Sequence, residues 1–307
     1  MPSEEFNTIV QMLRSRPQPA ADVTIAEMRA GMEAMAVLSP LPEGVTIEPT
    51  TAGGVPGEWV TGSDAGSDGV LLYLHGGAYM LGSPISHRPL TAALVLASGM
   101  RVLALDYRLA PEHPFPAAVE DALAAYRWLL ESGTPRERIV VGGDSAGGGL
   151  ALALLVVARY FGMPLPAAAL CLSPWVDLEM AGLSWFVNIG ADPILPRRDT
   201  SAAQTYLNGA PPTTPLASPL YADLAGLPPL LVQVGSVEPL YSEILAFVQK
   251  ARMAGVDVTL EIWPEMFHVW QIFAAMLPEA REAVEHLATF ARARTGSAQR
   301  ARAAVSA

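Results

Sequence analysis

Cysteine is almost absent from the 307-residue chain: Cys171 stands alone, so no disulfide can form within it. It lies in a strand-like apolar run and reads as a small buried hydrophobe, which suits a reducing cytoplasm. Positive charge is also scarce. Nineteen Lys and Arg against 30 Asp and Glu leave a net charge of −11. Such a surface repels the phosphates of nucleic acids and of anionic lipids, so neither is an expected partner. No secretory leader is expected from this N-terminal stretch: Met1-Pro2-Ser3-Glu4-Glu5-Phe6 is acidic where a signal peptide is basic, and no apolar stretch follows. Nor is there an apolar run long enough to insert stably in a membrane, because Leu150–Val157 is short and Arg159 interrupts it. Histidines number five, which narrows any search for a general base. No internal repeat is visible. The expected location is the cytoplasm.

What is present is ample core material, with 51% apolar residues. The first 45 residues read as helical. Asp22 can cap a helix carrying Ile25, Met28, Met32 and Met35 at helical spacing, and Pro40 and Pro42 end it. Thr46–Pro49 and Gly57–Thr61, separated by Gly53-Gly54, suggest an antiparallel edge pair. Val70–Leu74 and Val102–Leu105 are continuous apolar runs, the mark of strands buried on both faces. Pro116–Glu131 is an amphipathic helix with Gly133 past its end. Further strands are expected at Ile139–Val141, Ala167–Leu172, Leu230–Val234 and Val258–Ile262, with helices at about 239–254 and 270–293.

This alternation predicts an α/β fold with a mostly parallel central sheet and helices on both faces. Residues from about 180 to 215 break it, with Trp185, Phe186, Ile189, Ile194 and several prolines. They read as a helical cap insertion packing on the N-terminal helices. The expected organisation is an N-terminal part of the cap (1–45), a first catalytic part (46–179), the cap insertion (180–215), a second catalytic part (216–294) and a flexible tail (295–307).

Ile139-Val140-Val141-Gly142-Gly143-Asp144-Ser145-Ala146-Gly147-Gly148-Gly149-Leu150 organises everything else. A β-branched run passes through small residues around one serine into an apolar helix. Glycine on both sides leaves room for a sharp turn, and the helix directs its N-terminal amides toward the serine. This is the G-x-S-x-G nucleophile elbow in its required strand–turn–helix setting. The competing reading is a phosphate-binding turn. Neither phosphate-loop pattern fits, however, and Asp144 would place a negative charge where a phosphate must sit.

A serine hydroxyl needs an adjacent base, usually a histidine oriented by a carboxylate. His268 follows the last strand on a loop, where the carboxyl ends of parallel strands converge on a crevice. His286 falls mid-helix and reads as a surface residue. The orienting acid is read as Glu238, at the end of Leu231-Val232-Gln233-Val234-Gly235-Ser236-Val237-Glu238, with Asp177 as the alternative. The order Ser145, Glu238, His268 is that of α/β-hydrolases, and with the helix after Ser145 it excludes a chymotrypsin-like protease. His75-Gly76-Gly77-Ala78-Tyr79 ends another buried strand. Amides of Gly76 and Gly77, with that of Ala146, are the expected oxyanion donors.

Three motifs together resemble the bacterial hormone-sensitive-lipase-like carboxylesterases: His75-Gly76-Gly77-Ala78-Tyr79, Gly143-Asp144-Ser145-Ala146-Gly147-Gly148, and Asp106-Tyr107-Arg108-Leu109-Ala110-Pro111-Glu112-His113-Pro114-Phe115-Pro116-Ala117-Ala118. The likeness covers nearly the whole chain. It implies an α/β-hydrolase fold with a cap, no cofactor, no metal and a small-molecule ester substrate of short to medium chain, with a homodimer as a possible assembly. It carries the triad onto Ser145, Glu238 and His268 and the oxyanion hole onto Gly76, Gly77 and Ala146. Tyr79, Leu81, Met28, Met32, Leu183 and Phe186 are the expected substrate wall. Ala78 replaces the family's usual third glycine, disfavouring a positive φ and weighing against a donor role for its amide. The variant resembles those associated with esters of bulky, even tertiary, alcohols. Asp106, Arg108 and Glu112 are expected to satisfy one another, His75 to serve as a strut, His87 and Arg88 to start a helix, and His113 to have no catalytic part. An acyltransferase or lyase on the same scaffold keeps the triad, whereas a non-catalytic ligand-binding homologue usually loses one member.

Overall fold

The computed structural model describes residues 2–16, 22–37, 41–63, 69–195 and 197–296. It opens with helices α1 (Glu4–Arg14) and α2 (Ile25–Val37). Ser3 caps α1 by accepting the Phe6 N–H at 3.1 Å, and Phe6, Ile9 and Leu13 bury one face. On α2 the capping residue is Thr24 rather than Asp22. Thr24 Oγ1 accepts the Glu27 N–H at 3.2 Å, and the Glu27 carboxylate accepts the Thr24 N–H at 2.8 Å. That reciprocal pair satisfies two donors, and a residue two positions upstream cannot match it. No residue of α2 is fully buried; Met28 and Met32 are half-buried and Met35 is exposed. Pro40, expected to end this helix, lies outside the described residues, as do residues 297–307 of the expected tail.

Strands β1 (Val45–Ala52) and β2 (Val55–Gly62) form the expected antiparallel pair, joined by Gly53 and Gly54 at φ +61° and +88°. Two successive positive φ values give the turn the same twist as the strands it joins. The chain continues through β3 (Val70–Leu74), α3 (Pro84–Ser98), β4 (Arg101–Leu105), α4 (Ala117–Glu131), β5 (Ile139–Asp144), α5 (Ala146–Tyr160) and β6 (Ala168–Leu172). Then come α6 (Ser184–Val187), α7 (Ser201–Leu207), β7 (Leu230–Gly235), α8 (Tyr241–Met253), β8 (Val258–Trp263) and α9 (Pro278–Thr295). The expected helix from 270 is interrupted. Trp270–Phe273 is a single 3-10 turn, and α9 begins anew at Pro278, whose missing N–H and fixed φ suit a first helical position.

The eight strands form one sheet in the order β1-β2-β4-β3-β5-β6-β7-β8, parallel from β4 to β8. Neighbouring residues in the central strands face opposite layers. Leu72 and Val141 pack into the layer with α4, α5 and α8; Leu71 and Val140 pack into the layer with α1, α3 and α9. Because β3 has β4 on one side and β5 on the other, the loops after β3 and β5 separate above the sheet, which is where such folds bind ligands. Among the described residues, no helix is long and apolar enough to cross a membrane.

Two expected contacts are replaced by others. Arg108 does not join Asp106 and Glu112; its Nε and Nη2 reach Asp121 at 2.9 Å and Glu120 at 3.0 Å near the start of α4. Glu112 pairs instead with Arg29 of α2, whose guanidinium also donates to the carbonyls of Met80 (2.8 Å) and Ala110 (2.9 Å). The 180–215 segment packs chiefly on the body. Trp185 Nε1 donates to Glu243 of α8 at 2.8 Å, and Tyr206 stacks on Tyr79. Among the described residues, one hydrogen bond ties this segment to the N-terminal helices, from Arg14 to the Ala191 carbonyl at 3.2 Å.

Lacking buried side chains of its own, α2 depends on Arg29. Arg29→Ala is expected to raise the rate of proteinase K cleavage between residues 14 and 41 about tenfold, a local opening. The free energy of urea unfolding of the body should change by no more than about 0.5 kcal/mol. Mass spectrometry of timed digests checks the first and tryptophan fluorescence the second.

Candidate active site

The turn from β5 to α5 leaves a single residue between strand and helix. Ser145 occupies it at φ +54° and ψ −121°, a conformation L residues avoid. Three backbone bonds hold it there: its N–H donates to the Leu172 carbonyl at 2.9 Å, and its carbonyl accepts from Gly149 (3.0 Å) and Trp175 (2.8 Å). The turn fits only because the adjoining positions lack side chains. A Cβ on Gly147 would stand 2.0 Å from the Leu74 carbonyl oxygen on β3.

His268 lies on the loop after β8, and its Nε2 is 2.8 Å from Ser145 Oγ. Its Nδ1 is 2.8 Å from Glu238 Oε2. A carboxylate can only accept, so the neutral ring carries its proton on Nδ1 and turns a lone pair toward the serine. Glu238 is wholly buried at the mouth of α8, and its other oxygen accepts the Gly235 N–H (2.5 Å) and the Ser173 hydroxyl (2.7 Å). The fold therefore brings the three expected side chains together across 123 residues of chain. The alternative acid, Asp177, turns to the Glu179 N–H at 2.9 Å.

Burial works against protonation of His268, but the Glu238 hydrogen bond and charge, with Asp192 and Asp144 nearby, outweigh it and raise the pKa above the ordinary histidine value. Burial likewise pushes the Glu238 carboxyl up, opposed by the hydrogen bond and charge of His268.

One expected oxyanion donor is corrected. The Gly76 N–H, expected as one of these donors, is instead committed to Asp144 Oδ1 at 3.1 Å. Among the described residues, the amides of Gly77, Ala78 and Ala146 donate to no protein acceptor. For Ala146 this follows from its place in the first turn of α5. Ala78 adopts φ +56° despite its methyl group, and Tyr79 follows at +61°. Bonds from the Met80 and Leu81 N–H to the Gly77 carbonyl (3.0 and 2.8 Å) close the turn around them.

Asp144, which sequence reasoning passed over as part of the motif, is a hub. It is buried, and besides Gly76 it accepts the Tyr73 hydroxyl at 2.7 Å and faces His87 Nε2 at 3.3 Å. Burial raises its pKa, but the His87 charge and the bonds from His87 and Tyr73 prevail and hold it below the usual carboxylate range. His87 thus has a defined partner, three residues into a helix whose start at Pro84 is secured by a Ser83–Ser86 capping box. His75 is a neutral strut: Nδ1 bonds its neighbour's carbonyl at 2.8 Å and the ring stacks on Tyr107 at 4.3 Å. Burial, then the nearby His87, lowers its pKa to about 3. His113 is exposed, and His286 pairs with Glu261 at the surface.

The expected substrate wall is only partly assembled. Tyr79 is fully buried, stacked on Tyr206 at 3.8 Å, while Leu81, Met28 and Met32 are half-buried. Leu183 and Phe186 stand in solvent, 67% and 61% exposed, because Trp185 between them is the large apolar side chain that α6 buries. A polar cavity of about 550 Å³ between α2 and the β4–α4 loop is lined by Arg29, Glu33, Glu58, Arg88 and Asp106, and touches neither Ser145 nor these wall residues. Ser173 and Asp192, both bonded to the triad's surroundings, carry no motif and were missed.

Comparison with known proteins agrees with this architecture. A family profile described as α/β-hydrolase fold matches residues 71–272. An acetyl-hydrolase of Streptomyces hygroscopicus is 54% identical over 248 residues, covering 80% of this chain and 82% of that protein. An esterase of Acinetobacter venetianus is 36% identical over 266 residues, 86% and 88% of the two chains. The crystal structure of an esterase from the bacterial hormone-sensitive lipase family superposes with a TM-score of 0.91 at 47% identity, over 96% of this chain and 99% of that one. The shared sheet, the turn around Ser145 and these relatives together place the chain in the α/β-hydrolase superfamily, among the carboxylic ester hydrolases of the hormone-sensitive-lipase-like family.

Proposed function

We propose that the protein is a serine carboxylesterase acting on short- to medium-chain esters through an acyl-enzyme. One observation carries the reading: a single imidazole spans 2.8 Å to Ser145 Oγ on one side and 2.8 Å to a buried carboxylate on the other. His268 Nε2 takes the serine proton as Oγ attacks the ester carbonyl, and the Glu238 carboxylate stabilises the imidazolium that forms. The oxyanion is received by the amides of Gly77, Ala78 and Ala146, at the positive end of α5. His268 then protonates the departing alkoxide, and the same base activates water to release the acid and regenerate Ser145. This chemistry calls for no cofactor or metal.

The described parts of segments 1–45 and 180–215 are read as a cap over the catalytic body, with Met28, Met32, Leu81 and Tyr79 toward the acyl or alcohol group. The name of the Streptomyces relative, an acetyl-hydrolase, favours small acyl groups. The His75-Gly76-Gly77-Ala78 pattern, similar to that of variants associated with esters of bulky alcohols, extends the reading to that substrate class.

Ser145→Ala is expected to lower kcat/KM for aryl acetates at least about 10⁴-fold. A serine-directed organophosphate should label the wild type once, at Ser145, by peptide mass mapping; stoichiometric labelling elsewhere refutes the assignment. Since the base must be neutral, kcat/KM should fall as pH drops through the His268 pKa, with an acidic limb above the ordinary histidine value. Glu238→Gln removes the carboxylate that raises this pKa. Its limb should move to lower pH while kcat drops about 10⁴-fold, because the ring loses its tautomer; stopped-rate assays across pH 4–9 read both, in roughly half-unit steps.

A further inference from the structure

Asp192 lies between α6 and α7, 76 residues before His268 in the chain, and is wholly buried. Its two oxygens face different segments. Oδ1 accepts the N–H groups of Ile194 (2.7 Å) and Leu195 (3.0 Å), closing a turn in its own loop. Oδ2 points the other way and accepts the backbone N–H of His268 at 2.7 Å. Charge-assisted bonds of this length to buried amides are among the stronger hydrogen bonds in proteins.

The loop that receives this bond needs holding. Val269, a β-branched residue, follows at φ +52°, a conformation that persists only where surroundings enforce it. Its N–H donates to Ser173 Oγ at 3.3 Å. Two successive amides, those of His268 and Val269, are thus clamped by side chains from two other segments. Ser173 also holds Glu238, so one clamp belongs to the catalytic body. The other belongs to the segment that carries Leu183 and Phe186.

We propose that Asp192 is a positioning residue for His268, fixing the backbone from which the imidazole projects and coupling it to the 180–215 segment. This rests on the reading of His268 as the general base. The charged groups facing the imidazole are Glu238 from the β7–α8 loop, Asp192 from the insertion and Asp144 from the end of β5; all three favour its protonated form. Only Glu238 touches the ring, whereas Asp192 acts on the main chain. Asparagine is not equivalent at this position, because its amide group must face either Ile194 and Leu195 or His268, donor against donor.

The test uses the full-length chain, p-nitrophenyl acetate, and the variants Asp192→Asn and Asp192→Ala. Both should lose about 10- to 100-fold in kcat, the cost of a misplaced catalytic group, with KM changed by less than about threefold. The acidic limb of kcat/KM should move to lower pH in both. NMR titration of the His268 ring nitrogens should move in the same direction, and this readout does not depend on turnover. Should the wild type hydrolyse no ester, the esterase reading fails while the ring titration still decides the role of Asp192. A limb and a ring titration unchanged from wild type overturn the proposal, even if the variants melt earlier. If neither variant folds, the wild-type His268 amide proton decides: a downfield, slowly exchanging signal supports the bond, and a rapidly exchanging one overturns it.

Discussion

A carboxylate buried one residue before the serine binds the halves of the site together. Asp144 ends β5, yet it holds the Gly76 amide after β3, the Tyr73 hydroxyl within β3 and the His87 ring on α3. An ion in so dry a place survives only when its lone pairs are used, and removing one partner of such a buried pair costs about 3–5 kcal/mol. Because the partners sit on neighbouring strands and a covering helix, the turn that presents Ser145 and the loop that presents the Gly77 and Ala78 amides cannot shift independently. The same contact explains why Gly76 bears no side chain: a Cβ there would lie 2.2 Å from Asp144 Oδ2. It also explains why the Gly76 amide has no capacity left for an oxyanion.

On the far side of the serine the logic repeats with different residues. Glu238 is held by Gly235 and Ser173, Ser173 also holds Val269, and Asp192 holds His268. The imidazole is then held between Glu238 and Ser145, at 2.8 Å from each. Several residues here occupy left-handed backbone, among them Ala78, Tyr79, Ser145, Ser173 and Val269. Strain of this kind clusters where geometry is over-determined by neighbours, and the sheet beneath supplies that determination.

Much of this was legible in the chain itself. Continuous apolar runs such as Val70–Leu74 announce strands covered on both faces, since only a parallel sheet between helical layers buries every side chain. The elbow motif, the glycines after β3 and the order Ser145, Glu238, His268 are local or ordinal signals, and the fold keeps them. The Gly53-Gly54 turn is equally local.

Other features depended on which segments meet in space. Ion pairing is one: Arg108 and Glu112 share a motif but find partners on α4 and α2, because charge pairs form between surfaces that packing brings together. Asp192 is another, an acid in a loop of no recognisable pattern whose place is defined by a residue far along the chain. Within the 180–215 segment, three neighbouring apolar side chains look alike in sequence, yet the body receives Trp185 and leaves Leu183 and Phe186 outside. Periodicity, turn chemistry and motif order, all set by short-range sterics and hydrogen bonding, were determined by the amino-acid sequence alone. Partner choice among buried polar groups was decided by tertiary structure, because each such bond needs two distant segments to be desolvated at the same point.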